Sequence, residues 1–168
     1  MPTELTGAVF TALMWQLIQD NIDNGIVIQL GCRVYNSATR NLSTNNLAAL
    51  LWDTNLTDTD GMHSTTSNTS RIYANWTGWY HIQATVGWDT SGGATGYRQL
   101  QILLNGVTTI ATAAATPASG GACQMSVSCD RYFTAGDYVE IMAYQNSGVT
   151  LAIAPTSEYT PICSMVRI

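Results

Sequence analysis

Residues 52–88 read WDTNLTDTDGMHSTTSNTSRIYANWTGWYHIQATVGW, and a change of character inside this stretch decides the fold. The first half is polar and turn-prone, with Asn55, Asp58, Asp60, Gly61, Ser64, Thr65, Thr66, Ser67 and Asn68. The second half is aromatic and β-branched. Thr77-Gly78-Trp79-Tyr80 reads as a turn, and Tyr80, Ile82, Ala84 and Val86 then alternate with His81, Gln83 and Thr85, so the apolar set shares one face of a strand. The expectation is a long loop feeding a pair of core strands. Its tip, with Asp58, Asp60, Met62 and His63, is expected to form an exposed contact loop.

The same period-two logic extends on both sides. Ile26 to Tyr35 (IVIQLGCRVY) predicts a first strand, Asn36 to Asn46 a turn-rich stretch, and Leu47 to Trp52 a short strand or buried loop edge. Arg71 to Ala74 and Trp79 to Trp88 follow. A glycine-rich link (Ser91 to Gly96) leads into Tyr97 to Leu104, and Asn105-Gly106 then predicts a type I′ hairpin into Val107 to Ala113. Ala114 to Gly121 reads as a surface loop, and Met125, Val127 and Cys129 alternate with polar neighbours. Tyr138 to Tyr144, Val149 to Ile153 and Ile162 to Ile168 complete about nine or ten short strands, the spacing of a sandwich or barrel.

Only the N-terminus departs from this pattern. Between Thr11, a suitable N-cap, and Asp23, the residues Met14, Leu17, Ile18 and Ile22 recur at helical spacing, with Phe10 and Trp15 beside them; Asn24-Gly25 is a good stop. The division is therefore residues 1–25, a helical docking segment, and residues 26–168, the β domain. A helix this short needs a surface to cover its stripe, either its own domain or a neighbouring subunit or particle.

Composition narrows the function classes. Of 168 residues only 10% are charged, against roughly 25% in an ordinary soluble domain. The polar surface is therefore mostly Thr, Ser, Asn and Gln, which suits β-sheet faces covered in part by sister subunits. All six basic residues are arginine and the net charge is −5, so nucleic acid is not an expected partner. No apolar run approaches the ~20 residues of a membrane span, and Met1-Pro2-Thr3-Glu4 lacks the positive flank of a signal peptide, which points to synthesis in a cytoplasm. The sequons at Asn41, Asn55, Asn68 and Asn75 are then chance matches. Cys32, Cys123, Cys129 and Cys163 form no CxxC pair and read first as buried reduced thiols, with disulfides between strands left open.

No catalytic pattern emerges. Asp58-Thr59-Asp60-Gly61 fails as an EF-hand, since that register puts Leu56 at the first ligand position and Ser67 at the twelfth; a turn that shapes the loop is favoured over another calcium site on Asp58 and Asp60. His63 and His81 are the only histidines and neither lies in a recognisable triad or zinc motif. The expectation is a non-enzymatic protein without a cofactor. Sugar binding on exposed loop aromatics stays open beside a packing role for Trp76, Trp79, Tyr80 and Trp88.

Three motifs in order, Thr77-Gly78-Trp79-Tyr80, Leu103-Leu104-Asn105-Gly106 and Ala135-Gly136-Asp137-Tyr138-Val139, resemble the globular-head jelly roll of the complement and tumour necrosis factor family across about residues 30–168. That resemblance implies an all-β, ten-stranded jelly-roll sandwich that forms a homotrimer through one face. Trp79, Tyr80, Tyr138 and Tyr144 are the candidate trimer or core aromatics. A narrower likeness joins WDTNLTDTDGMHSTTSNTSRI, and the leader GAVFTALMWQLIQDNI, to jelly-roll modules and docking leaders of tailed-bacteriophage virion proteins. The leader departs from that pattern at Trp15, Gln16 and Gln19. The likeness implies a structural protein on the virion surface, made in the host bacterial cytoplasm. Its helix would dock on other virion proteins, and its head would decorate the capsid or sit on the tail and contact a host receptor or glycan. The other reading is a free-standing trimeric carbohydrate- or receptor-binding module.

Overall fold

A computed structural model describes residues 30–91, 93, 95–118, 120, 123–153 and 161–168. The expected helix, with Phe10, Met14, Trp15, Leu17, Ile18 and Ile22, lies outside the described residues, as does the first part of the strand expected from Ile26. Twelve strands are described: β1 (Gly31–Tyr35), β2 (Arg40–Leu42), β3 (Asn46–Ala49), β4 (Thr54–Asp58), β5 (Arg71–Tyr73), β6 (Gly78–Trp88), β7 (Arg98–Leu104), β8 (Thr108–Ala115), β9 (Cys123–Phe133), β10 (Tyr138–Gln145), β11 (Leu151–Ile153) and β12 (Ile162–Arg167). One sheet runs β4-β1-β12-β6-β9; the other runs β3-β10-β7-β8, with β5 also on β10; β11 and β2 pair separately. Strands cross repeatedly between the two sheets, giving a jelly-roll sandwich.

The core follows from alternation. On β6, Tyr80, Ile82, Ala84, Val86 and Trp88 point inward; they meet Leu100 and Ile102 of β7 and Val139, Ile141 and Ala143 of β10 in one buried cluster. Tyr80 packs edge-on against Phe133, ring centroids 5.6 Å apart, and its hydroxyl donates to the Trp76 carbonyl at 2.8 Å. The ring is thus buried without orphaning its oxygen. Asn105 and Gly106 have φ of 53° and 72°, the left-handed pair that a type I′ turn needs. Asn105 also ties the hairpin to β10: its amide donates to Asp137 at 2.8 Å and its side-chain oxygen accepts the Tyr138 N–H at 2.9 Å.

Two strands occupy segments that read as turn or loop. β2 lies in the Asn36 to Asn46 stretch and pairs with β11, and β4 lies in the polar half of the 52–88 stretch and pairs with β1 across a bulge at Arg33/Val34. Both are short and largely uncovered, so neither needs an apolar alternation. β8 likewise extends through Ala114 and Ala115, which pair with Gln99 and Arg98. All four cysteines are free thiols. Burial pushes the Cys32 thiol up to about 12, with the Asp58 charge adding to it, and it raises Cys163, Cys123 and Cys129 as well. These are small hydrophobic side chains, not nucleophiles.

Candidate functional site

The 55–70 segment is a closed loop built around two side chains. Asp58, at the end of β4, accepts the Met62 N–H at 2.8 Å on one carboxylate oxygen and the His63 N–H at 3.1 Å on the other. The His63 ring bridges the Asn55 side-chain oxygen (2.6 Å from Nδ1) and the Thr69 carbonyl (3.2 Å from Nε2). The Met62 carbonyl accepts the Tyr73 N–H at 2.8 Å, His63 bridges to Ile72, and the Asn75 amide donates to the Asp60 carbonyl.

This corrects the expectation of an exposed contact loop at two of its four residues. Met62 is 1% and His63 7% exposed, because β5 covers them. Asp58 and Asp60 are half-buried. Asp58 commits both oxygens to backbone N–H groups, which is the loop-shaping role favoured over calcium. Among the described residues no three His, Cys, Asp or Glu side chains gather as a metal site.

The four aromatics expected at the core or trimer surface separate into three places. Tyr80 is in the core. Trp79 is 53% exposed on the outward face of the first sheet, edge-on to Tyr132 at 5.9 Å. Tyr138 and Tyr144 both lie on the outward face of the second sheet. Tyr138 packs on Tyr73, with the Arg71 guanidinium 4.3 Å over its ring, and Tyr144 packs on Tyr97. Trp88 is buried and Trp76 exposed.

Rows across the first sheet define its outward face. One row is Asp130, His81, Val166 and Gly31; the next is Ser128, Gln83, Ser164, Arg33 and Thr57; a third is Ser126, Thr85, Ile162, Tyr35 and Thr54. Trp79 and Tyr132 stand at one end. His81 sits on this face with Nδ1 2.6 Å from Asp130, and Thr85 and Ser126 share a hydroxyl bond of 2.9 Å. Neither histidine bonds a hydroxyl or thiol among the described residues, so no nucleophile is paired with a base.

Sequence reasoning did not single out Arg98. It is wholly buried at the start of β7, donating from Nη1 to the carbonyls of Thr95 (3.0 Å) and Tyr97 (3.4 Å), while Nε and Nη2 have no partner among the described residues. Burial lowers its pKa, and the Cys123 and Asp89 charges oppose that.

No family model matches the chain, and no curated protein matches it in sequence. Its fold is similar to solved structures. One is the crystal structure of murine APRIL at pH 5.0 (TM-score 0.60, 12% identity), over 83% of this chain and 99% of that one. Another is Eiger TNF from S. frugiperda (TM-score 0.56, 11% identity), over 83% of this chain and 92% of that one. At these identities the likeness establishes architecture: the chain folds as a tumour-necrosis-factor-like jelly roll.

Proposed function

We propose that this chain is a non-enzymatic structural protein of a tailed-phage virion, a homotrimer that decorates the capsid or forms a host-contacting head on the tail. The observation that carries the trimer is the outward face of the β4-β1-β12-β6-β9 sheet. Its central row, Ser128, Gln83, Ser164, Arg33 and Thr57, is short or polar and flanked by Val166, Ile162 and Tyr35, with the exposed Trp79–Tyr132 pair at one end. A face of hydroxyls and aliphatic side chains, anchored by aromatics and carrying Arg33 and the His81–Asp130 pair, is one that a cyclic assembly can bury. The virion placement rests on the phage-like wording of residues 52–72 and of the leader, with residues 1–25 as the docking segment.

Sedimentation of the purified chain at micromolar concentration tests the assembly. A trimer is expected for the native sequence and a folded monomer for Ser164→Arg, which adds three like charges beside the three copies of Arg33 at the centre of the face. A native monomer refutes the trimer. Imaging of intact particles tests the placement. Deleting residues 1–25 is expected to abolish incorporation while leaving the jelly roll folded; unchanged behaviour of the truncated chain would favour the free-standing binding module.

A further inference from the structure

The outward face of the first sheet ends in a row that is apolar and open. Trp79 on β6 faces Tyr132 on β9, and Ile168, whose N–H donates to the Trp79 carbonyl at 3.0 Å, continues the row just past β12. Trp79 and Tyr132 are each 53% exposed and Ile168 65%. Trp76, also 53% exposed, lies just before β6 and is fixed by the buried Tyr80, whose hydroxyl accepts its N–H and donates to its carbonyl. The other two described tryptophans, Trp52 and Trp88, are buried. Scattered exposed apolar side chains are ordinary, whereas two tryptophans, a tyrosine and an isoleucine grouped at one end of a sheet mark an interaction surface.

The chain itself leads to this patch. Leu30, the first described residue, accepts the Arg167 N–H on its carbonyl at 2.9 Å, so residues 1–29 join the sandwich next to Ile168. Those residues lie outside the described structure, and in sequence they carry the stripe Phe10, Met14, Leu17, Ile18 and Ile22, which needs a surface to cover it. Seven residues separate Ile22 from Leu30, a reach of at most about 28 Å, so the stripe is tethered beside the patch at a high effective concentration. The charges agree in sign. Residues 1–29 contain Glu4, Asp20 and Asp23 and no arginine or lysine. Arg167, exposed beside the row, donates from Nη2 to the Thr77 carbonyl at 3.4 Å and has no carboxylate partner among the described residues.

We propose that residues 10–22 dock their apolar stripe on the Trp76, Trp79, Tyr132 and Ile168 patch of their own chain. The row continues the face assigned to the trimer, so the docked segment closes the open end of that face in each protomer and fixes the direction in which the anchor leaves the head. Gln16 and Gln19, on the side away from the stripe at helical spacing, remain for a particle. Docking within the chain requires no particle, so its test is separate from that of the virion placement.

Hydrogen exchange on the full chain, read by mass spectrometry, supplies that test. Amides of residues 12–22 are expected to exchange at least roughly tenfold more slowly than in a free peptide of the same sequence, and to lose that protection in the double variant Trp76→Ser, Trp79→Ser while β10 amides keep theirs. Ile168→Asp, at an exposed terminal position outside the core, carries the same expectation should the tryptophan variant fail to fold. Leu47→Ser, 44% exposed on β3 of the other sheet, is expected to leave the protection unchanged, and so is Ser164→Arg, because the contact lies within one chain. No protection in the native chain, protection that survives the patch variants, or an equal loss in Leu47→Ser would each overturn the proposal. Loss of protection in Ser164→Arg would assign the covering to a neighbouring copy and overturn docking within the chain.

Discussion

His63→Ala separates a loop that belongs to the architecture from a loop that waits for a partner. The substitution removes the ring's contacts with the Asn55 side chain at 2.6 Å and the Thr69 carbonyl at 3.2 Å, and empties the space of a ring that is 7% exposed. Both partner atoms are acceptors and a neutral imidazole carries one N–H, so about 1 kcal/mol of net hydrogen bonding is lost with the ring. The orphaning penalty is limited, because the Thr69 carbonyl still accepts the Trp52 N–H at 2.8 Å and Asn55 is exposed to water. With a partial cavity added, the expected loss is about 2–3 kcal/mol, or a fall of roughly 4–12 °C in Tm for a domain of this size. Urea denaturation at fixed protein concentration reads it as a lower midpoint at unchanged slope. Ser67→Ala, on the exposed part of the same loop, is the reference and is expected to change stability by no more than about 0.5 kcal/mol. If His63→Ala matched Ser67→Ala, the ring would not be holding the loop and the argument from its contacts would fail.

Arg98→Met is expected to leave stability unchanged or raise it by up to about 4 kcal/mol, since the native guanidinium is wholly buried with Nε and Nη2 unpartnered. A loss above about 3 kcal/mol in urea, more than the Nη1 bonds to the Thr95 and Tyr97 carbonyls account for, would mean that those donors are satisfied in solution. Asp53 gives a pH signature. Burial pushes its carboxyl up, but the Ser37, Thr54 and Ala38 donors outweigh this and hold it below the ordinary 3.8. A depressed carboxylate contributes stability that is present above the unfolded value and lost as pH falls through the folded one. The acid limb of stability below about pH 4 should therefore be shallower in Asp53→Asn, by a small amount because the group is largely exposed; midpoints in urea against pH measure it, and identical limbs would refute it.

What was legible in the sequence was local. The alternation of Tyr80, Ile82, Ala84 and Val86 and the Asn105-Gly106 turn each state their geometry within a few residues, and both stand in the structure as read. β2 and β4 were hidden because each is short, pairs with a strand that is not its neighbour in the chain, β11 and β1, and buries little beyond Leu42. On β10, parity rather than hydrophobicity sorts the two faces. In Tyr138 to Gln145 the buried residues are Val139, Ile141, Ala143 and Gln145, so Tyr138 and Tyr144 share the outward phase with Glu140 and Met142. A pocket lined by Arg40, Leu51 and Thr69 could not be read at all, since its lining comes from three separated stretches of chain.

The wording of the 55–70 loop sharpens this point. Polar neighbours made Met62 and His63 look exposed, yet the polar letters are the means of their burial. Asp58 turns the chain by accepting the two N–H groups of Met62 and His63, and Asn68 at φ 51° accepts the Arg71 N–H at 2.9 Å and returns the chain to β5. His63 fills the space between, bound to Asn55 and Thr69. Each of these residues closes the loop on itself, so a protein sharing the pattern would share this loop geometry whatever it contacts. The pattern therefore argues for common architecture, and the case for self-assembly rests on another surface, the hydroxyl-rich sheet face.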